Sequence, residues 1–275
     1  MTMQSIDHLT PLAKTLLITL KGRALDSAEK KPILSDDLAA DLVRRLDYDL
    51  DTVKLTLGVP AAIAIRSSML DRAVRNYIHD HPDAVVVELG CGLETRMNRL
   101  DPPETVDWFD IDFPEVIELR KALLPQRTNA HQIGISLLEP TWTDTIPAAR
   151  PTVLVADGVL GFLTESDNRQ ILTHITDHFT GSGELVFNAY TKLAARMNGR
   201  YTKVVGMPAD YRGFGISEPR DVVALNPGLT FVEEQFGDAS PEAGQLNIGY
   251  RLLAALFARW RAQARRGVWV VRYRF

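Results

Sequence analysis

The chain falls into two halves by the spacing of its apolar residues. From about residue 10 to residue 80 they recur every three or four positions, which is the helical period. Thr15-Leu16-Leu17-Ile18 leads into a polar stretch from Lys21 to Arg23. Ser35 offers an N-cap with Asp36 and Asp37 in the first turn, and Leu38, Leu42 and Leu46 follow at helical spacing. A third helix is predicted from Ala61 to Ile78, with Ile65, Met69 and Val74 on one side and Pro82 ending it.

After Pro82 short β-rich runs alternate with helical segments. The runs are Ala84–Leu89, Val106–Ile111, Ala130–Ile135, Thr152–Ala156 and Glu184–Ala189, with Pro114–Leu124 and Thr164–Phe179 between them as helices. Thr164 is a predicted N-cap, with Glu165 and Asp167 near the positive helix end. Such alternation predicts a parallel sheet covered by helices on both faces, an α/β fold. From Tyr190 to Glu218 the periodicity weakens while Gly206, Gly213, Gly215 and three aromatics accumulate. A connection that long reads as a lid over a substrate. Two late β-rich runs, Thr230–Phe236 and Gly267–Phe275, flank a helical stretch from Leu252 to Ala264. The expected organisation is an N-terminal helical segment at 1–82, a core at 83–275 and a lid insertion at about 190–218.

Composition narrows the function classes. At 275 residues and 45% apolar, one large domain with a substantial core is expected. A formal net charge of −4 gives no broad basic field for nucleic acid. The basic stretch Arg259 to Arg266 reads as an exposed helix face. One cysteine, Cys91, excludes a disulfide framework within the chain. No apolar run has the length of a membrane span, and Met1 to Thr10 lacks a secretory pattern, so a cytoplasmic protein is expected.

The chemistry concentrates where the first strand ends. Val85-Val86-Val87-Glu88-Leu89-Gly90-Cys91-Gly92 is an apolar run closed by an acid and a Gly-x-Gly turn. Glycines let backbone approach a ligand, and a following helix start offers free N–H groups. The second run ends in Asp110 and Asp112, where a ribose-holding carboxylate is expected. Spacing alone does not choose between these two, since both lie on one side of an extended segment. Thr95 stands where a dinucleotide fingerprint has its third glycine, which favours S-adenosylmethionine over NAD. Arg66 lies beside an apolar helical run, where it either snorkels or grips a carboxylate. His174 and His178, four apart, are a candidate metal pair without a third ligand, so no metal is expected and a solvated face is the simpler reading. No G-x-S-x-G elbow, P-loop or zinc motif occurs.

These motifs resemble the leucine carboxyl methyltransferase family, in particular its bacterial branch acting on aromatic polyketides. The resemblance is carried by Arg66 to Asp71, Glu88 to Arg96, Trp108 to Ile117 and Leu154 to Leu163, with Ser5 to Asp49 similar to the family's helical start. It implies a class I methyltransferase fold, a Rossmann-like seven-stranded mixed sheet. It also implies roles: Arg66, with Lys14 assisting, for the methionine carboxylate of S-adenosylmethionine; Gly90 under the cofactor; Asp112 for the ribose in preference to Asp110; Ser136 and Leu137 beside adenine; Asp157 facing the amino group. Gly92 and Glu88 join the cofactor site on the turn pattern itself. The chain departs from the family pattern at Glu94 and Asp157, where family members often have Asp and Glu, and at Ser136, where Asp is common.

The resulting expectation is an S-adenosylmethionine-dependent O-methyltransferase acting on a carboxyl or phenolic oxygen of a small, polyketide-like molecule. Asn188, Tyr190, Arg196 and Tyr201 are the candidate substrate contacts. The absence of a histidine in this region favours a carboxylate acceptor, which is already ionised at neutral pH. The competing readings are a protein C-terminal carboxyl methyltransferase, a non-catalytic S-adenosylmethionine-binding protein and an NAD oxidoreductase.

Overall fold

The computed structural model describes residues 3–208, 210–245 and 261–275, with the side chains of 198–201, 204 and 245 outside the description. Seven strands form one sheet: β1 (Val85–Leu89), β2 (Asp107–Asp112), β3 (Ala130–Gly134), β4 (Thr152–Ala156), β5 (Gly183–Asn188), β6 (Thr230–Phe236) and β7 (Trp269–Arg274). Their order is β3-β2-β1-β4-β5-β7-β6. β7 runs antiparallel to β5 and β6, while the first five strands pair in parallel. The seven-stranded mixed sheet is that of class I methyltransferases.

Every residue of β1, β4 and β5 is buried, as expected for parallel strands covered on both faces. One face packs Phe109, Trp142, Ile171, Leu185 and Trp269. The other packs Met69 and Val74 against Val86, Trp108 and Val270. Met69 and Val74 come from the long helix α3 (Val59–Asp80), which crosses beneath the sheet. α1 (Leu16–Ser27) and α2 (Asp37–Arg45) build a third apolar cluster, with Leu17, Leu20 and Leu42 against Leu93, Val116, Leu119 and Leu123. Val116, Leu119 and Leu123 lie on α5 (Pro114–Leu123), which follows the short α4 (Arg96–Leu100).

Thr164 caps α6 (Glu165–His178) as expected and shares a reciprocal capping box with Asp167. Other boundaries differ from the expectation. Ser35 sits at φ 58° and does not cap; Asp36 caps α2 by accepting from the Ala39 amide. Leu46 lies past the end of α2, in a two-residue strand with Asp47 that pairs with Gln4–Ser5. The 190–218 segment is more regular than its pattern implied. It holds α7 (Lys192–Thr202), capped by the Thr191 hydroxyl, and a bridge between Thr191 and Ile216. The expected Leu252–Ala264 helix lies mostly outside the described residues, which include its end at Arg261–Ala264.

His174 and His178 are half-buried and hydrogen-bonded rather than solvated. Their Nε2 atoms meet Thr143 Oγ1 at 2.8 Å and the Ile146 carbonyl at 3.0 Å, pinning 140–146 to α6. Of the basic stretch, Arg265 folds inward instead: it donates to both Glu234 oxygens and lies 5.1 Å from the Trp269 ring centre. No described helix is long and apolar enough to cross a membrane.

Candidate active site

Strand order reverses between β1 and β4, which opens a crevice at the strand ends where α/β folds bind ligands. A cavity of about 1310 Å³ lies there. Its floor is the turn after β1. Gly90 and Gly92 have φ of 60° and 47°. A Cβ on Gly90 would come within 2.6 Å of Val159, and one on Gly92 within 3.2 Å of Leu16. Both positions therefore require glycine, for backbone conformation and for space.

The two aspartates of β2 do different work. Asp112 lines the cavity; its Oδ2 accepts from the Gly92 amide and its Oδ1 from the Phe113 amide, each at 2.7 Å. It thus fixes the glycine turn and the entry to α5 together. Burial raises its pKa in spite of these amide contacts. Asp110 is not at the cavity: it is buried against Arg120 and accepts from the Trp108 indole at 3.3 Å. Arg120 in turn donates to the carbonyls of Gly92 and Glu94 at 2.9 and 2.8 Å, so this pair braces the turn from behind.

At the other side of the turn Arg66 reaches from α3. Its Nε is 2.6 Å from Asp157 Oδ1, a close charge contact without hydrogen-bond alignment. Its Nη1 donates to the Tyr190 hydroxyl at 3.4 Å, and its Nη2 has no hydrogen-bond partner among the described residues. Asp157 also accepts from Ser67 and from Arg96, at 3.1 and 3.2 Å. Arg96 is fully buried and pairs with Asp71 at 2.7 Å and Glu88 at 2.5 Å. Burial pushes the Glu88 carboxyl up to about 7, with Arg96 opposing. Burial also opposes ionisation of Glu94, but Arg23, Arg99 and Arg96 hold it well below the usual carboxylate range.

Most of the predicted site residues converge. Arg66, Glu88, Gly90, Gly92, Asp112, Ser136, Leu137, Asp157, Asn188 and Tyr190 all line the cavity. Asn188 accepts from the Gly158 amide at 2.5 Å, and the Tyr190 ring fills the space beside Gly161. Lys14 does not line it, although Ala13 and Thr15 do, because its one-turn helix Ala13–Thr15 directs the neighbours inward. Arg196 is exposed and outside the lining. The Tyr201 side chain lies outside the described residues. The sequence reading missed Arg96, Arg120 and Arg23. Each works through tertiary pairing with distant acids, which leaves no periodic trace in the chain.

An apolar chamber continues from this cradle. Leu55, Val59 and Ala62 face it from one side, Leu193 and Met197 of α7 from another. At its end Phe162 stacks with Tyr211, ring centres 6.3 Å apart.

The Nη2 of Arg66, the cavity-facing acids Glu88 and Asp157, and Asp112 beside the glycine turn fit a ligand carrying a carboxylate, a cationic centre and a sugar diol. The comparisons with known proteins agree. Residues 17–176 match the family model "Leucine carboxyl methyltransferase". The chain is 35% identical over 256 residues to the tetracenomycin polyketide synthesis O-methyltransferase TcmP of Streptomyces glaucescens, covering 90% of this chain and 94% of that one. It is 28% identical to the S-adenosyl-L-methionine-dependent methyltransferase dpfgK of Gibberella zeae, covering 83% of each. In fold it is similar to a candidate methyltransferase from Thermobifida fusca, with a TM-score of 0.62, 13% identity and coverage of 92% and 93%. The chain belongs to the leucine carboxyl methyltransferase family and is an S-adenosylmethionine-dependent O-methyltransferase.

Proposed function

We propose that the acceptor is a carboxyl or phenolic oxygen of a small, flat, polyketide-like molecule. The observation that carries this is the continuous cavity that joins the polar cradle to the apolar chamber. About 1310 Å³ exceeds the usual upper range for one small-molecule site, roughly 1,000 Å³, and leaves room for two ligands side by side. The Phe162–Tyr211 stack and the aliphatic walls suit an aromatic ring system. TcmP, similar over nearly the whole chain, serves tetracenomycin polyketide synthesis.

In this reading Arg66 holds the methionine carboxylate, Asp112 the ribose, and Ser136 with Leu137 the adenine side. Glu88 and Asp157 face the cationic part. Asn188 and Tyr190 stand between cradle and chamber, where they orient the acceptor. The bound cofactor supplies an activated methyl group on a sulfonium. The protein then has to hold the acceptor oxygen about 3 Å from that carbon and in line with it, which is catalysis by positioning. A carboxylate acceptor needs no base, being ionised above about pH 4. For a phenol a base is needed; Asp238, whose pKa burial raises, and Asp167 both line the cavity outside the arginine network and are the candidates.

The test is incubation of the purified protein with S-adenosylmethionine and a panel of polycyclic aromatic acids and their phenolic counterparts. Mass spectrometry detects a gain of one methyl, and alkaline hydrolysis separates esters from ethers. Methylation of peptide C-termini, with none of any aromatic acceptor, would overturn the proposal.

A further inference from the structure

The wall of the cradle carries an unbalanced charge. Arg23, Arg66, Arg96 and Arg99 meet Asp36, Asp71, Glu88, Glu94 and Asp157 in one connected set of ion pairs. Among the described residues, four guanidiniums against five carboxylates leave one negative charge over. The pairing shows where it sits. Asp36 and Glu94 each touch Arg23 and Arg99; Asp71 touches Arg96 and Arg99; Asp157 touches Arg66 and Arg96. Among the described residues Glu88 has one guanidinium partner, Arg96, which it shares with two other acids. Glu88 also lines the cavity.

We propose that Glu88 lets the enzyme distinguish S-adenosylmethionine from its demethylated product by reading the charge on sulfur. This rests on the cavity being the cofactor site. The two ligands share adenosine, amino and carboxylate groups, so contacts to those parts cancel in the ratio of their affinities. They differ by one methyl and one positive charge. When the acceptor oxygen forms its bond to the methyl carbon, the electrons of the old carbon–sulfur bond stay on sulfur and cancel that charge. The excess charge at Glu88 then has no counter-charge, which weakens product binding and clears the site. For charges within about 10 Å at an effective dielectric near 20, Coulomb's law gives an effect of roughly tenfold.

The charged groups around Glu88 are Arg96 of α4, Glu94 of the glycine turn, Asp110 of β2 with Arg120, Asp157 with Arg66, and Asp71 of α3. Burial, with Glu94 and Asp110 adding, brings Glu88 up to about 7 against the pull of Arg96. The discrimination is therefore strongest above pH 7 and fades as Glu88 takes up its proton.

Calorimetric titration with S-adenosylmethionine, S-adenosylhomocysteine and sinefungin, in which a carbon bearing an ammonium replaces the methylated sulfonium, tests this without an acceptor. Glu88→Gln is expected to weaken the two cationic ligands by roughly tenfold and the neutral one by less than about twofold, while Glu88→Asp keeps the wild-type ratio. In the wild type the ratio should narrow by several-fold from pH 7.0 to 5.5, below the range near ~7.8 where α-amino groups titrate. That arm needs no variant to fold. Equal weakening of charged and neutral ligands in Glu88→Gln, or a wild-type ratio that ignores pH, would overturn the proposal. If the wild type binds neither S-adenosylmethionine nor S-adenosylhomocysteine, the cofactor reading fails as well.

Discussion

Asp110 and Asp112 stand two residues apart on one strand, yet their removal should read out differently. Asp110 neutralises a buried Arg120, and stripping one partner from a buried pair costs about 3–5 kcal/mol. Asp110→Ala should therefore lower the denaturation midpoint strongly. Asp112 has backbone partners and a face on the cavity. Asp112→Ala should mainly lose S-adenosylmethionine affinity, by more than Asp110→Ala does in the protein that remains folded. Paired calorimetric and urea-unfolding measurements check both; the reverse order would put the ribose at Asp110. Arg66→Ala should weaken S-adenosylmethionine binding by roughly 2–5 kcal/mol, part of which is the cost of leaving Asp157 without that partner. Unchanged affinity in that variant would remove Arg66 from the cofactor site. Gly90 and Gly92 are legible in the chain itself because turn chemistry leaves a local signature, and the acidic end of β2 is legible too; the choice of Asp112 over Asp110 and the role of Arg66 come from the family resemblance. Arg96 and Arg120 are not legible, since an arginine within a helix looks the same whether it is solvated or buried against acids.

At the scale of elements, α6 is tied to the 140–146 connection through His174 and His178. Burial first, and then the neighbouring His178, lowers the pKa of His174. A histidine with a depressed folded value contributes stability that is present above its unfolded value, near ~6.5, and is lost as pH falls through the folded one. Thermal unfolding should thus shift to lower temperature between pH 7 and pH 5, and His174→Gln should flatten that slope. An unchanged slope in the variant would assign the acid sensitivity to other groups. α7 is the element that the sequence concealed. Its apolar positions are sparse, and Asn198 and Gly199 interrupt the helical pattern, so the segment reads as an irregular lid. Leu193 is 58% exposed while lining the chamber, an arrangement suited to closing over an acceptor. On this account the amides of α7 exchange faster than those of β1 and β4 in the free protein and gain protection when cofactor and acceptor are added together. Uniform protection from the start would make α7 a fixed wall.

For the molecule as a whole, the strand–helix alternation after Pro82 is enough to give the parallel sheet, because β1, β4 and β5 are short, mainly apolar segments that the fold buries along their whole length. α1 and α2 are legible as helices, but their contacts with the glycine turn are not. Their role emerges from long-range contacts: Leu16 packs over Gly92, and Arg23 donates to the Leu93 carbonyl at 2.7 Å. The central claim is that the crevice between β1 and β4 holds S-adenosylmethionine with its amino-acid end at Arg66 and its nucleoside end at Asp112. A crystal structure with S-adenosylhomocysteine bound tests it most directly. The account predicts the ligand carboxylate on the Arg66 guanidinium, both ribose hydroxyls on Asp112 and the adenine beside Ser136 and Leu137. Density that placed the ligand in the opposite direction, or in the apolar chamber instead of the cradle, would contradict it.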